Sequence, residues 1–183
     1  MAVDRSKQKA VDDHDDNLIN IAWLPHSDCI NRLLASAFVE LTDADFKRRS
    51  HFIDGRFENL YVEQDRLPGL SSVLQFALNQ AGRVLHIEPN RLRIGFWLNA
   101  MEPGESTSVH SHEENDELLS GVYYVSVPRK SGNLVFHDGP LPRYFCPKPG
   151  MMLFFPPDLP HAVEQNQSKR LRLSVAFNIG LGA

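Results

Sequence analysis

The residues best placed to do chemistry are His110 and His112, in Val109-His110-Ser111-His112-Glu113-Glu114, and His161, in Pro160-His161. Two histidines at spacing two on an extended segment present both imidazoles on one face, because side chains alternate along a strand. His161 follows 49 residues after His112 and reaches the same point only if a sheet folds back over itself. The run Pro156-Pro157-Asp158-Leu159-Pro160 is a stiff approach that fixes the direction of His161. Ligands on rigid β elements, with positions left open for other groups, are how an all-β barrel builds a metal site. The remaining histidines carry less. His137, in Phe136-His137-Asp138-Gly139, reads as a surface turn; His26, His51 and His86 have no companion signal, and His14 sits in a solvated acidic stretch.

A second chemical feature is Arg170-Leu171-Arg172-Leu173-Ser174-Val175-Ala176-Phe177-Asn178. Period-two alternation sets Arg170, Arg172 and Ser174 on one face and Leu171, Leu173 and Val175 on the other. Arg170 reads as solvent-facing. Arg172 reads as an inward-facing group, and a buried guanidinium needs an anion, for which its planar fork suits a carboxylate.

These groups need elements to hold them. Leu18 to Trp23 reads as a first strand stopped by Pro25, and Ser27 as the N-cap of a helix carrying Ile30, Leu33, Leu34, Ala37, Phe38 and Leu41. Residues 42–66 are mixed and charged, with Gly55 a turn and Leu60-Tyr61-Val62 a short strand. After Pro68-Gly69, Ser71 or Ser72 opens a second helix through Leu74, Phe76, Ala77, Leu78, Ala81 and Leu85. From Arg91 the pattern changes to strands, Arg91 to Asn99, Leu118 to Val127, Leu134 to Phe136, Met151 to Phe155 and Leu171 to Asn178, separated by Pro/Gly turns. The expected fold is mainly β with N-terminal helices, a jelly-roll barrel braced by two helices. Residues 1–17 are expected to be a flexible N-terminus and 18–183 one domain, with 18–90 as helical support and 91–180 as the barrel.

Composition narrows the function. A net charge of -4 and a pI near 6.0 leave no basic stripe for nucleic acid or a membrane surface. No apolar run approaches the roughly 20 residues that span a bilayer. The first residues lack the apolar core of a signal peptide, and Cys29 and Cys146 form neither a disulfide framework nor a thiolate metal site. The expectation is a cytoplasmic, reduced protein; a homodimer stays open.

Several motifs occur in order: Trp97-Leu98-Asn99, Pro103-Gly104, His110-Ser111-His112, Ser120-Gly121-Val122-Tyr123-Tyr124-Val125, Ser131-Gly132-Asn133-Leu134, Pro149-Gly150-Met151-Met152-Leu153-Phe154-Phe155-Pro156, Pro160-His161-Ala162-Val163 and Arg172 to Asn178. Over residues 91–180 this train resembles the bacterial 2-oxoglutarate/Fe(II)-dependent oxygenases near the prolyl-hydroxylase-like branch of that superfamily. The resemblance implies a double-stranded β-helix holding Fe(II) between its sheets, with 2-oxoglutarate as co-substrate and O2 as oxidant. By position it makes His110 and His161 iron ligands. Arg172 and Tyr124 then hold the distal carboxylate of 2-oxoglutarate, with Asn99 and Ser174 as further cofactor-binding candidates. It implies a dioxygenase that hydroxylates an unactivated C–H bond of a small molecule or peptide and releases succinate and CO2.

One departure concerns the third ligand. The wider superfamily uses His-x-Asp/Glu…His, whereas the acidic position here is His112. His112-Glu113-Glu114 is itself His-x-Glu, so Glu114 is the alternative carboxylate ligand. Two other readings stay open. In a cupin-type metalloprotein, His110, His112, Glu117 and His161 would hold a metal without 2-oxoglutarate. In a non-catalytic barrel, the histidines would line a site for a small acidic or sugar ligand. The segments expected to set specificity are 42–66, 113–117 and 137–144.

Overall fold

The computed structural model describes residues 18–182 apart from 54 and 113–115. The expected flexible segment 1–17 and the alternative ligand Glu114 therefore lie outside the described residues. Helices α1 (Ser27–Val39) and α2 (Leu70–Leu85) lie in the first half of the chain. Strand β11 (Arg172–Leu181) runs antiparallel to β4 (Leu92–Met101) along its whole length and to β6 (Glu117–Ser126) on its other side. Its alternate residues Leu173, Val175, Phe177 and Ile179 are buried in one cluster with Leu34 of α1 and Leu70, Val73, Leu74, Ala77 and Ala81 of α2. In α2 these buried positions recur at three and four residues, the apolar stripe of an amphipathic helix. Each Leu or Val so buried contributes about 1.5–3 kcal/mol.

Seven strands form the larger sheet, in the order β1-β9-β6-β11-β4-β3-β2. The members not yet described are β1 (Asn20–Trp23), β2 (Phe46–Ile53), β3 (Arg56–Val62) and β9 (Met151–Phe155). Four short strands form the facing sheet, β5 (Thr107–His110), β10 (His161–Val163), β7 (Leu134–Phe136) and β8 (Arg143–Phe145), in that order. A second core lies between the sheets, where Tyr124, Leu134, Phe136, Met151, Leu153, Phe155 and Leu159 meet. Strand β9 serves both cores: Met152 and Phe154 face the helices, while Met151, Leu153 and Phe155 face the opposite sheet. The architecture is the expected one, a mainly β jelly-roll braced by two helices on one face. No helix among the described residues is long and apolar enough to cross a membrane.

Local differences have local causes. Segment 42–66 folds as a β2–β3 hairpin turning at Gly55, longer than the short strand expected at Leu60–Val62. Lys47, Arg48, Arg49 and Ser50 hide β2 from an apolar-periodicity reading, because charge is tolerated on an edge strand. The N-cap of α1 is His26, in a left-handed conformation, and Ser27 is the first helical residue. Gly69, also left-handed, is the N-cap of α2, which starts at Leu70, ahead of Ser71 and Ser72. Strands β5, β8 and β10 span four, three and three residues, too short for a period to register.

Gly121 on β6 sits opposite Phe177 of β11, and an added Cβ would lie 2.4 Å from the Phe177 ring and 2.7 Å from the Leu153 carbonyl oxygen. The carbonyl belongs to the sheet ladder and cannot step aside. Gly121→Ala is therefore expected to lower stability by about 1–3 kcal/mol through overpacking. Thermal or denaturant unfolding checks this; an unchanged midpoint would mean the two sheet faces are less rigidly coupled than this packing implies.

Candidate metal centre

The shortest strands build the site. Antiparallel pairing of β5 with β10 sets His110 directly opposite His161, so both imidazoles leave the same face of the small sheet. His112 lies two residues beyond β5, where its backbone N–H donates to the Pro157 carbonyl at 2.7 Å. That bond ties the His-x-His segment to the proline-rich approach of His161. Ring centroids are 4.5 Å apart for His110 and His161, 5.1 Å for His110 and His112, and 5.2 Å for His112 and His161. One nitrogen from each ring lies within 4.8 Å of the other two.

Hydrogen bonds select which nitrogens these are. His110 Nδ1 stands 2.9 Å from the Ser108 carbonyl, and His161 Nδ1 stands 2.8 Å from the Leu159 carbonyl. A carbonyl only accepts, so Nδ1–H donates and Nε2 keeps its lone pair. His161 is packed against Phe155 and Phe136, and His112 against Trp97 of β4. Burial, then the charge of His110, holds His161 down at about 3; burial, then His110 and His51, holds His112 down at about 4. Both rings are neutral at pH 7, the state in which imidazole binds a metal. Three converging imidazoles, two of them with a fixed donor nitrogen, fit a divalent transition metal such as iron.

Behind the histidines the gap between the sheets continues to Arg172, Tyr124, Asn99 and Ser174, which line the same cavity as His110, His112 and His161. Arg172 is only 2 % exposed, and no acid among the described residues pairs with it. Its Nη1 donates to the Ser131 and Gly132 carbonyls at 3.2 and 2.9 Å, and its guanidinium stands 5.4 Å over the Tyr124 ring. Its Nε has no hydrogen-bond partner, and burial lowers its pKa. Gly132 is left-handed, and a Cβ there would meet the Glu164 carbonyl at 2.1 Å, so only glycine can present these acceptors to Arg172. The Tyr124 hydroxyl is also buried without a hydrogen-bond partner, pushed up to about 12 by burial against the pull of Arg172. Asn99 adds an unpartnered Oδ1, and Ser174 Oγ donates weakly to the Asn99 carbonyl at 3.4 Å. Arg172 Nε and the Tyr124 hydroxyl are orphaned donors on one cavity, and a bound oxyanion would satisfy them.

Arg170 is exposed, as its position on the other side of the turn allows. His137, His26, His51 and His86 are exposed too. Glu117 lies outside the imidazole cluster and lines a second, outer cavity of ≈ 250 Å³ that abuts His110 and His112. The wall of that cavity includes Arg48, His51, Asn59 and Tyr61 of the β2–β3 hairpin and Trp97. Of the hairpin residues none was singled out by the sequence, where no period sets the hairpin apart from a charged loop.

A sequence model of the family described as "Putative 2OG-Fe(II) oxygenase" matches residues 95–146 and 140–178. No curated protein shows a detectable match. Solved structures with a similar fold include a prolyl-4-hydroxylase from Pseudomonas putida, 16% identical over 91% of this chain and 89% of that one, with a TM-score of 0.64. Another is the non-heme alpha ketoglutarate dependent carbocyclase SnoK from nogalamycin biosynthesis, 15% identical over 88% and 79%, with a TM-score of 0.70. A third is a prolyl hydroxylase from Trichoplax adhaerens in complex with a hypoxia inducible factor peptide fragment, 13% identical over 90% and 84%, with a TM-score of 0.66. Fold and site together define a jelly-roll oxygenase barrel. The family match spans residues 95–178, and with the fold and the imidazole cluster it supports a 2-oxoglutarate/Fe(II)-dependent oxygenase, a class whose cofactor is Fe(II) and whose co-substrates are 2-oxoglutarate and O2.

A buried guanidinium with an orphaned donor costs stability. Replacing it with an apolar side chain of similar length is expected to be neutral or stabilising. Arg172→Met should therefore leave the thermal midpoint of the metal-free protein unchanged or higher. A fall of several degrees would show that the Ser131 and Gly132 contacts hold the fold together.

Proposed function

We propose that His110, His112 and His161 hold the Fe(II), and that Arg172 and Tyr124 hold the far carboxylate of 2-oxoglutarate in a pocket completed by Asn99 and Ser174. The enzyme then oxidises an unactivated C–H bond of a small molecule or peptide, with release of succinate and CO2. The observation that carries this is Arg172: a buried cation with no anion among the described residues, in the same cavity as three converging imidazoles. The bound metal supplies the activation of O2 that couples decarboxylation of the keto acid to oxidation of the substrate.

The protein supplies placement. The carbonyls of Ser108 and Leu159 fix the His110 and His161 rings and raise their basicity. Phe136 and Phe155 shield His161 from water, and Trp97 shields His112. With Nη1 engaged by two carbonyls, Arg172 keeps Nε to donate to a carboxylate, and the Tyr124 hydroxyl, protonated at any working pH, donates beside it. Proteins of similar fold include both a carbocyclase of a biosynthetic pathway and a prolyl hydroxylase with a peptide, so the fold itself accommodates either substrate size. The free, exposed Cys29 and Cys146 suit a reducing, cytoplasmic setting. A four-ligand cupin centre would need Glu117 among the imidazoles, and it would leave Arg172 without a role.

Anaerobic addition of Fe(II) and then 2-oxoglutarate should produce the weak visible charge-transfer band of a chelated keto acid. Arg172→Met should weaken 2-oxoglutarate binding by about 10- to 100-fold, the worth of a hydrogen-bonded charge pair, and leave Fe(II) affinity unchanged. His161→Ala should abolish Fe(II) binding. Fe(II) binding with no band at any 2-oxoglutarate concentration would turn the reading to a keto-acid-independent metal site; failure to bind Fe(II) would end it.

A further inference from the structure

The outer cavity has a charge pattern that the oxygenase reading leaves unused. The β2–β3 hairpin that contributes one wall carries four cations, and three are neutralised: Lys47 pairs with Glu63, Arg49 with Asp43, and Arg56 with Glu58 and Glu105; Arg93, across the cavity, pairs with Asp116. Arg48 is the exception. It lines the cavity, and no carboxylate among the described residues lies within ion-pair reach of it. Its guanidinium is held 5.0 Å over the Tyr61 ring, a contact that orients the cation without cancelling its charge. Tyr61 stands 6.3 Å from Trp97, and Trp97 stands 5.4 Å from His112. Aromatic surface therefore runs from the free cation to the imidazole cluster.

His51 adds a second donor to the same wall. Its backbone is left-handed, with φ 56°, a conformation uncommon for a side-chain-bearing residue and enriched at functional sites. Its Nδ1 lies 3.0 Å from the Asn59 amide nitrogen, which can only donate. Nδ1 therefore accepts, and the neutral ring carries its proton on Nε2, free to donate. Farther along the hairpin, Phe52 and Phe57 stack at 4.9 Å and are exposed, so apolar surface continues to the tip. The acids on the cavity wall do not offset Arg48: Glu58 faces Arg56 at 3.7 Å, and Glu117 stands on β6, on the other side.

We propose that the outer cavity takes a substrate bearing a carboxylate or phosphate, with Arg48 and His51 binding the oxyanion and an apolar body lying along Tyr61 and Trp97 toward the three histidines. This rests on the Fe(II)/2-oxoglutarate reading for the site the substrate approaches. Among the described residues the cluster is made of imidazoles alone, so it adds no carboxylate to repel an anion.

The test is a binding titration on the anaerobic Fe(II)-loaded protein with saturating 2-oxoglutarate, which keeps the inner cavity filled. The background carries Trp23→Phe, so that Trp97 is the single tryptophan and reports by fluorescence. The probes are benzoate, phenyl phosphate, benzamide and benzylamine. Benzoate or phenyl phosphate should bind more tightly than the neutral and cationic probes, and the tighter of the two identifies the oxyanion. Arg48→Ala should weaken that binding at least tenfold and Arg48→Lys less, with the charge-transfer band unaltered in both. The proposal is overturned if benzamide or benzylamine binds as well as the anions, if Arg48→Ala leaves the anion affinities unchanged, or if no probe binds. Absence of the band in the protein without probe would instead overturn the Fe(II)/2-oxoglutarate reading. The same titration on the metal-free protein would then still decide the role of Arg48.

Discussion

Strand β11 must hold a ladder to β4 on one side and β6 on the other while its two faces meet different surroundings. One face is sealed by helices, and the other looks into the gap between the sheets. A one-residue slip would carry Arg172, Ser174 and Asn178 into the helix-facing core and Leu173, Val175 and Phe177 into the cavity. Burying three polar groups without partners costs far more than any local rearrangement recovers, so the register is fixed by both faces at once. Everything positioned by β11 inherits that rigidity. Asn99 and Trp97 on β4 and Tyr124 on β6 face the cavity because their strands are paired to it in this register.

The inner cavity spends stability on readiness. Arg172 Nε, the Tyr124 hydroxyl and Asn99 Oδ1 are all buried without hydrogen-bond partners, within the reach of one small ligand. Groups of this kind persist where surrounding structure over-determines them. Here the determinants are visible: the β11 ladder, the Gly132 turn that no other residue could make, and the ring of Tyr124 beneath the guanidinium. The histidines follow the same logic from the opposite sheet. Burial keeps His112 and His161 neutral, and carbonyls rather than carboxylates orient His110 and His161. A carbonyl fixes the tautomer without adding negative charge, so the charge of a bound metal stays available to anionic ligands.

How far this was legible in the sequence depended on the length scale of the signal. The strands β6, β9 and β11 announce themselves through apolar runs with turn residues between them, and α1 and α2 through their three-four spacing. His110, His112, His161 and Arg172 were legible because their residue types are rare in such contexts and their motifs come in order. The direct opposition of His110 and His161 was not, since it depends on β5 and β10, four and three residues long, pairing across a gap of 50 residues. The β2–β3 hairpin was hidden for the converse reason. Its strands are long enough, but β2 is an edge strand whose charges mask the alternation. Arg48 and His51 could not be separated from their neighbours until ion pairing and backbone conformation told them apart.

That difficulty bears on how the outer cavity works. The chain as a whole carries a net charge of -4, so its long-range field does not draw anions in. Screening confines such a field to about 8–10 Å at ordinary ionic strength. An anion would then be recognised locally, by a cation whose charge has been left uncancelled at short range. An edge hairpin is well suited to provide it. Charge on an edge strand already deters association with other chains, and pairing Lys47, Arg49 and Arg56 with acids keeps the rest of the hairpin close to neutral. One unpaired arginine on such a wall, fixed over an aromatic ring, discriminates between ligands more sharply than a uniformly basic surface, because selectivity then comes from a single directional contact rather than from attraction shared by every anion in solution.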